Sequence, residues 1–229
     1  MPKFWGCIKN QDYTIGCTGQ TVYVYGKDGQ ELTKFKDIKY GYKPMFCPSK
    51  NVFIVKSTAG MVAAYSLDRL ELIKKYRFSK VDGAQDDGFC FSGDGKLFYN
   101  IERHIDSLHT RISIYDTEKF ELCTQLFTEE EAPKLSYIEY DKERSTYFVI
   151  GFNRKSDSTI PNKFIGELSG NKLINLRELS DDKYDFINGY KSLQLFGFTE
   201  KAKEWSSLKY RGYDLSDIEL TKVHLWDEA

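Results

Sequence analysis

The sequence predicts an all-β protein built from repeated four-stranded units. Aromatic residues are 15% of its 229 residues, and aromatic side chains favour strands. Short segments such as RISIY (111–115) alternate apolar and polar residues, which indicates a strand with one covered face. A phrase that begins with tyrosine, crosses a polar turn and ends in Glu-Leu also recurs. Its copies are YGKDGQEL (25–32), YSLDRLEL (65–72), YDTEKFEL (115–122) and YDLSDIEL (213–220).

The surroundings of the third copy define the unit. FCF (89–91) leads into the turn SGDGK (92–96), where Asp-Gly is a strong hairpin signal because glycine accepts the positive φ that such turns need. LFYNI (97–101), RISIY (111–115) and LCTQLF (122–127) are the next three strands. The unit is therefore strand, tight turn, strand, longer loop, strand, turn, strand.

The same order fits the whole chain and predicts five such units in a single domain. They occupy approximately residues 1–38, 39–80, 81–130, 131–182 and 183–229. The strands of units one, two and four are KFWGCI (3–8), YTIGC (13–17), TVYVY (21–25), ELTKF (31–35), KPMFC (43–47), VFIVK (52–56), MVAAY (61–65), ELIKKY (71–76), LSYIEY (135–140), TYFVIGF (146–152), KFIGEL (163–168) and KLINLREL (172–179). Those of unit five are FINGY (186–190), LQLFGF (193–198), SLKYRGY (207–213) and ELTKVHLW (219–226), with a helical insertion at 199–208.

The spacing between copies of the phrase indicates how the units assemble. It is 40 residues from Tyr25 to Tyr65 and 50 from Tyr65 to Tyr115. A period of this size with four strands per unit is typical of a β-propeller, in which stacked blades bury each other's faces. We therefore expect a small propeller of five four-stranded blades, with a sandwich of the same hairpins as the alternative.

Two segments also resemble WD40-like propeller repeats. FSGDGKLF (91–98) resembles the turn F-S-P-D-G-K between the first and second strands of a blade, and ISIYDTEKFEL (112–122) resembles the phrase of the third strand. The repeats are divergent, since the Gly-His dipeptide is missing and tyrosine replaces the tryptophan of Trp-Asp. The resemblance covers essentially the whole chain and implies a propeller.

Within each phrase, we expect the tyrosine and the leucine to have structural roles. Tyr115 and its equivalents are predicted to pack between blades. Leu122 and its equivalents are predicted to face the core where the outer strand begins. On this interpretation the phrase forms part of the architecture and carries no chemistry.

Charge and cysteine content exclude several classes of protein. Lys and Arg number 33 and Asp and Glu 34, a net charge of -1, so coating nucleic acid or an anionic membrane is not expected. No run of about 18 apolar residues predicts a membrane span, and the segment MPKFWGCIKN (1–10) lacks the apolar region of a signal peptide. The five cysteines include no C-x-x-C pair, so we expect reduced core residues in a cytoplasmic protein without a cofactor.

Histidine is scarce, and two of the three histidines flank one predicted loop. His104 and His109, with Asp106 between them, provide groups for a metal ion or for a base and its orienting partner. The spacing HIDSLH matches no strong metal template. We therefore predict a solvent-exposed loop that contributes to binding, and no metal site.

Acidic segments precede the first strands of several units. They include Asp86 and Asp87 in DGAQDDG (82–88) and Asp181 and Asp182 in SDDKYD (180–185). Such loops favour an acidic rim for a basic partner, while paired carboxylates also suit acid–base chemistry. Two further candidate binding residues lie where the units disagree. They are Arg154, in the long loop 153–162, and Trp205, in the insertion.

The leading functional prediction is a cytoplasmic, non-enzymatic binding module of bacterial type, which presents loops of one propeller face to a protein partner. A concrete version is an immunity-like protein that neutralises a toxin. One alternative is a carbohydrate-binding propeller using Trp5, Trp205 and Trp226, although these occur only in units one and five. Another is a glycoside hydrolase with carboxylates at the channel mouth.

Overall fold

The computed structural model describes residues 4, 6–77, 88–103, 109–130, 132–153 and 159–181, and these form sixteen strands in four antiparallel sheets. Every sheet has four strands that pair in sequence order. Sheet 1 contains β1 (Gly6–Lys9), β2 (Tyr13–Cys17), β3 (Val22–Gly26) and β4 (Glu31–Phe35), and sheet 2 contains β5 (Gly41–Phe46), β6 (Val52–Ser57), β7 (Met61–Ser66) and β8 (Glu71–Arg77). Sheet 3 contains β9 (Phe89–Phe91), β10 (Leu97–Arg103), β11 (Thr110–Asp116) and β12 (Leu122–Leu126), and sheet 4 contains β13 (Lys134–Asp141), β14 (Thr146–Phe152), β15 (Lys163–Ser169) and β16 (Lys172–Glu178).

All sixteen strands predicted for units one to four are present, with ends that differ by at most a few residues. The predicted fifth unit and its helical insertion lie outside the described residues. The all-β prediction and the four-stranded unit are therefore confirmed for four units.

The sheets form two compact bodies, each with its own apolar core. Sheets 1 and 2 belong to the first, where Phe35, Phe53 and Tyr65 are among the buried core residues. Sheets 3 and 4 belong to the second, where Ile101 of β10 and Phe164 of β15 lie in one buried cluster. Because strand residues alternate between the two faces of a sheet, one face of each sheet contributes to the core of its compact body.

The repeated phrase marks a bulge followed by a turn. The register shifts between Val24 and Tyr25 in sheet 1, and directly before Tyr65 and Tyr115 in sheets 2 and 3. The turns then use a residue with positive φ, which is Gly29 (φ 77°), Leu70 (φ 52°) or Phe120 (φ 54°). A bulge bends the strand and increases its twist, so the phrase recurs because each outer strand needs the same bend and turn.

The predicted packing of the phrase tyrosine is confirmed for Tyr65. Its ring lies 4.4 Å from the ring of Phe35 in sheet 1 and 5.0 Å from that of Phe53 in its own sheet, measured between centroids. Aromatic pairs at such distances stabilise a core beyond the area that they bury. Tyr65 therefore joins sheets 1 and 2.

The prediction for the phrase leucine holds in two copies and is wrong in the third. Leu32 and Leu72 are partly buried and pack against the core that sheets 1 and 2 share. Leu122, by contrast, is 50% exposed, while Phe120 in the preceding turn is only 1% exposed. The phenylalanine occupies the buried position, and the leucine remains on the solvent side of β12.

All five cysteines are free thiols, as predicted, and four of them are buried. Burial raises the pKa of the Cys7 thiol to about 11, with a small opposing effect of Lys9. The pKa values of Cys17 and Cys90 are also raised, chiefly by burial. Cys123 on β12 is exposed, so the prediction of a core residue is wrong there.

Candidate binding surface

The two ends of each sheet are distinguished by the direction of the chain. In an antiparallel meander, the first strand starts at the end where the second strand finishes and the third strand starts. In sheet 3 this end leads into residues 104–108, and in sheet 4 into residues 154–158. We call it the loop-bearing end. The opposite end, where the first and second strands and the third and fourth strands are joined by short turns, is the turn end.

Few of the sequence-predicted site residues fall in the described part of the chain. The candidates outside it are Asp86, Asp87, His104, Asp106, Arg154, Asp182 and Trp205. Trp5 and Trp226 of the carbohydrate-binding alternative also lie outside it. His109 and Asp181 are described, and each lies at the loop-bearing end of its sheet.

His109 is buried, so the prediction of a solvent-exposed loop is wrong at this residue, which is 6% exposed. It directly precedes β11, whose first residue, Thr110, is fully buried. The Leu135 backbone N–H donates to Oγ1 of Thr110 at 2.7 Å, which ties the start of β13 to sheet 3. The packing of β11 against sheet 4 thus places His109 inside.

Asp181 has the opposite environment. Its side chain is 87% exposed and forms an ion pair with the ammonium of Lys163, with Oδ1 and Nζ 2.7 Å apart. An exposed ion pair adds little to stability because water screens it and both side chains lose freedom. Asp181 therefore provides an accessible charge at the loop-bearing end of sheet 4.

A buried polar cluster at the end of β10 was not predicted from the sequence. Glu102 is 2% exposed. Its carboxylate accepts hydrogen bonds from Nε of Arg111 at 3.1 Å, the hydroxyl of Tyr115 at 2.9 Å and Nδ2 of Asn100 at 3.3 Å. The only signal in the sequence is that Asn100 and Glu102 are polar at alternate positions of strand LFYNIER, whose remaining residues before Arg103 are apolar or aromatic.

Strand register explains why these side chains meet. Glu102 lies opposite Arg111 and Asn100 opposite Ser113, so the polar groups of β10 and β11 share one face of sheet 3. A buried carboxylate is costly unless charge and hydrogen bonds compensate it, and the guanidinium and hydroxyl donors supply both. Oδ1 of Asn100 is buried and has no hydrogen-bond partner among the described residues.

Buried cations occur at the loop-bearing ends of two other sheets. In sheet 4, Lys134 at the start of β13 is 8% exposed, and its ammonium lies 4.9 Å from the ring centroid of Phe152. In sheet 2, Lys43 and the fully buried Lys56 lie opposite each other in the register of β5 and β6. Such charges are retained only where they are compensated, so three of the four sheets have a polar interior at this end.

Carboxylates at the turn end accept hydrogen bonds from backbone N–H groups. The Asp116 side chain accepts bonds from the backbone N–H groups of Glu118, Lys119 and Glu121 at 2.9, 2.6 and 2.8 Å. Burial alone would raise the pKa of Asp116, but these hydrogen bonds outweigh it and lower the pKa below its ordinary value. Asp94 and Asp141 cap the turns after β9 and β13 in the same way, with lowered pKa values. The acidic residues of the repeated phrase are therefore structural at Asp116.

Among the described residues, no three His, Cys, Asp or Glu side chains form a group that could hold a metal ion. No helix within the described ranges is long and apolar enough to cross a membrane.

Comparison with known proteins identifies the fold and no closer relationship. No protein-family model matches the sequence, and no curated protein matches it. Among solved structures, hydrazine synthase from Kuenenia stuttgartiensis is similar with a TM-score of 0.61 and 15% identity, over 79% of this chain and 50% of that chain. The WD40 domain of coronin from Toxoplasma gondii is similar with a TM-score of 0.54 and 14% identity, over 76% of this chain and 45% of that one.

These similarities identify the fold. The four described sheets have the fold of a divergent WD40-like β-propeller, as the repeated phrases predict. The chain spans about half the length of the structures that it resembles. Because unrelated functions share this fold, the function must be argued from the surface of this chain.

Proposed function

We propose that this protein is a non-enzymatic binding module that holds a protein partner at the loop-bearing ends of its sheets. The observation that carries the proposal is the difference between the two ends. At the turn end, carboxylates such as Asp116 are already bound to backbone N–H groups. At the loop-bearing ends of sheets 3 and 4, the buried polar and charged groups include Glu102 and Lys134.

The chemistry of the loop-bearing end favours a partner with basic residues. Asp181 is exposed there, and the acidic pairs Asp86–Asp87 and Asp181–Asp182 adjoin the first strands of units three and five in the sequence. Complementary charge steers association and fixes orientation. An immunity-like role, in which the acidic loops cover a basic toxin, is the specific form of this proposal.

The proposed location is the cytoplasm of a bacterial cell. Four buried free thiols with no disulfide among all five cysteines suit a reducing compartment. The proposal assigns no cofactor and no catalytic step to the chain.

The proposal also includes a fifth blade and a single domain. Residues 183–229 contain four further strand patterns and the fourth copy of the phrase, YDLSDIEL (213–220). The preceding three copies all lie at the junction of third and fourth strands. The same sequence relationship supports an additional four-stranded blade after sheet 4.

Matched charge reversals at the two ends test the proposal. Asp181→Lys and Asp182→Lys are the loop-end variants, which reverse acidic charges that follow β16 in the sequence, and the turn-end variants Asp28→Lys and Glu143→Lys make the same change in exposed residues at the turn end. Tagged protein is used to capture partners from a lysate of the source cell, and the captured proteins are quantified by mass spectrometry.

The expected result is one stoichiometric protein partner that the loop-end variants lose by about tenfold or more and the turn-end variants keep, because a charged contact in an interface is worth about 1.4 kcal/mol or more. Circular dichroism confirms that all four variants are folded. The proposal is wrong if no partner is captured, or if both pairs of variants reduce capture equally.

A further inference from the structure

The outer strand of sheet 3 differs in composition from the other outer strands. β12 reads LCTQL and has no charged residue, whereas β4, β8 and β16 each contain lysine or arginine. Leu122, Cys123 and Thr124 are exposed, with Leu122 50% exposed. In the part of the chain that the structure describes, the large hydrophobic side chains that are exposed are those of Tyr40, Leu122 and Ile174.

β12 also has an edge that no other described strand covers. Within the described part of the chain its strand partner is β11, and it is the last strand of its sheet. Such an edge presents unpaired N–H and C=O groups that can pair with another strand, and proteins usually protect it with charges, prolines or bulges. The bulge before Tyr115 has equivalents in sheets 1 and 2. The lack of charge is therefore what sets β12 apart.

The residues that flank β12 are mainly acidic. Glu118 and Glu121 precede the strand, Glu129 and Glu130 follow it, and all four are exposed. Lys119 is the single exposed cation in these flanks, so four carboxylates surround an uncharged strand with one opposing charge. This pattern is complementary to a strand with basic residues on both sides of an uncharged centre.

We propose that the outer edge of β12 binds an extended segment of a partner protein, with an apolar, β-branched centre and lysine or arginine at both ends. Added strands gain affinity from main-chain hydrogen bonds and specificity from alternate side chains. Leu122 covers the apolar centre, and the flanking glutamates attract the basic ends.

The charge pattern argues against a second copy of this chain as the occupant. In an antiparallel β12–β12 pair, the residues before one strand lie beside those after the other, and in a parallel pair like flanks lie together. Either arrangement brings glutamate close to glutamate, which costs free energy. A partner with basic flanks gains attraction at the same positions.

The first test uses fluorescein-labelled peptides and the full-length protein. The probe is Lys-Lys-Thr-Val-Thr-Val-Thr-Lys-Lys, and its controls replace the lysines by glutamates or the valines by prolines. Fluorescence anisotropy measures the dissociation constants. We expect the lysine probe to bind about tenfold more tightly than either control, because the first control repels the flanks and the second cannot form a strand ladder.

The second test uses two exposed hydrophobic residues on different outer strands. Leu122→Lys adds a charge to β12, and Ile174→Lys makes the same change on β16, where Ile174 is 40% exposed. We expect Leu122→Lys to weaken binding of the lysine probe about tenfold and Ile174→Lys to leave it unchanged. Hydrogen exchange with the probe bound should slow at amides of residues 122–126.

Several outcomes would overturn the proposal. They are equal binding of the lysine and proline probes, equal effects of the two substitutions, absence of binding, and absence of protection in β12. Dimerisation of the protein alone that Leu122→Lys abolishes would instead identify a second copy as the occupant. The variants of the loop-bearing end should bind the probe normally, so this proposal and the proposed function fail independently.

Discussion

The hydroxyl of Tyr115 donates a hydrogen bond to Oε1 of Glu102 at 2.9 Å, and both residues are buried. Tyr65 occupies the same place in the preceding copy of the repeated phrase, yet its buried hydroxyl has no hydrogen-bond partner among the described residues. Burial raises the pKa of Tyr65, with smaller effects of Asp37 and Cys17. Of two equivalent tyrosines, one thus satisfies a buried carboxylate with its hydroxyl, and the other leaves its buried hydroxyl without a hydrogen bond to the described residues.

Replacing each tyrosine by phenylalanine should separate these contributions. Tyr115→Phe removes a donor from a buried carboxylate, and we expect it to lower the free energy of unfolding by about 1.5–3 kcal/mol. Tyr65→Phe removes a buried hydroxyl that forms no hydrogen bond with the described residues, and we expect no loss or a small gain in the free energy of unfolding. Urea titration at pH 7 measures both, and a loss at Tyr65 as large as that at Tyr115 would contradict the assignment.

Thiol reactivity should distinguish Cys123 from the four buried cysteines. Only the thiolate reacts. Burial shields the four sulfurs, and it also raises the pKa of Cys7 to about 11 and the pKa values of Cys17 and Cys90. With Ellman's reagent at pH 8, we expect one fast thiol in the native protein and five after denaturation. Cys123→Ser should remove the fast phase. A second fast thiol in the native protein, or a fast phase that survives the substitution, would show that the buried sulfurs are accessible.

The Asp116 turn should make a pH-dependent contribution to stability. Because the folded-state pKa is lowered, the carboxylate stabilises the fold fully above its unfolded pKa of about 3.9, and this contribution is lost as the pH falls through the folded value. Asp116→Asn should therefore cost about 1 kcal/mol at pH 7, since charge-assisted hydrogen bonds are replaced by neutral ones.

Denaturant titrations between pH 7 and pH 2 check this expectation. The difference between Asp116→Asn and the unmodified protein should shrink below about pH 4. Glu118→Gln, which removes an exposed carboxylate of the same turn, should change stability by less than about 0.5 kcal/mol. A constant difference across the whole pH range would rule out the ionised carboxylate as the cause.

The strands could be predicted because their information is local. The bounds of β2 (Tyr13–Cys17), β4 (Glu31–Phe35) and β14 (Thr146–Phe152) match the predicted segments fully. A strand in a stacked sheet needs apolar side chains at a period of two, and its turn needs residues that accept positive φ. Gly95, with φ 70°, meets that need in the turn SGDGK (92–96).

The polar cluster could not be predicted because it depends on register. Glu102 meets Arg111 nine positions away and Tyr115 thirteen positions away, across a hairpin whose loop length leaves several pairings open. The burial of His109 likewise depends on how β11 packs against sheet 4. The sequence of a strand of four to eight residues shows which positions are apolar. It does not show which polar positions of two strands lie opposite each other.

Phe120 and Leu122 show the same limit and allow a direct test. The pattern predicts burial for Leu122, but Phe120 is 1% exposed and Leu122 is 50% exposed. Phe120→Ala should lower the free energy of unfolding by about 3 kcal/mol or more, because it removes a buried ring and leaves a cavity. Leu122→Ala should cost less than about 1 kcal/mol, because half of the residue is already in water. Urea titration of both variants measures the difference, and a larger loss for Leu122→Ala would restore the leucine as the core residue of this phrase.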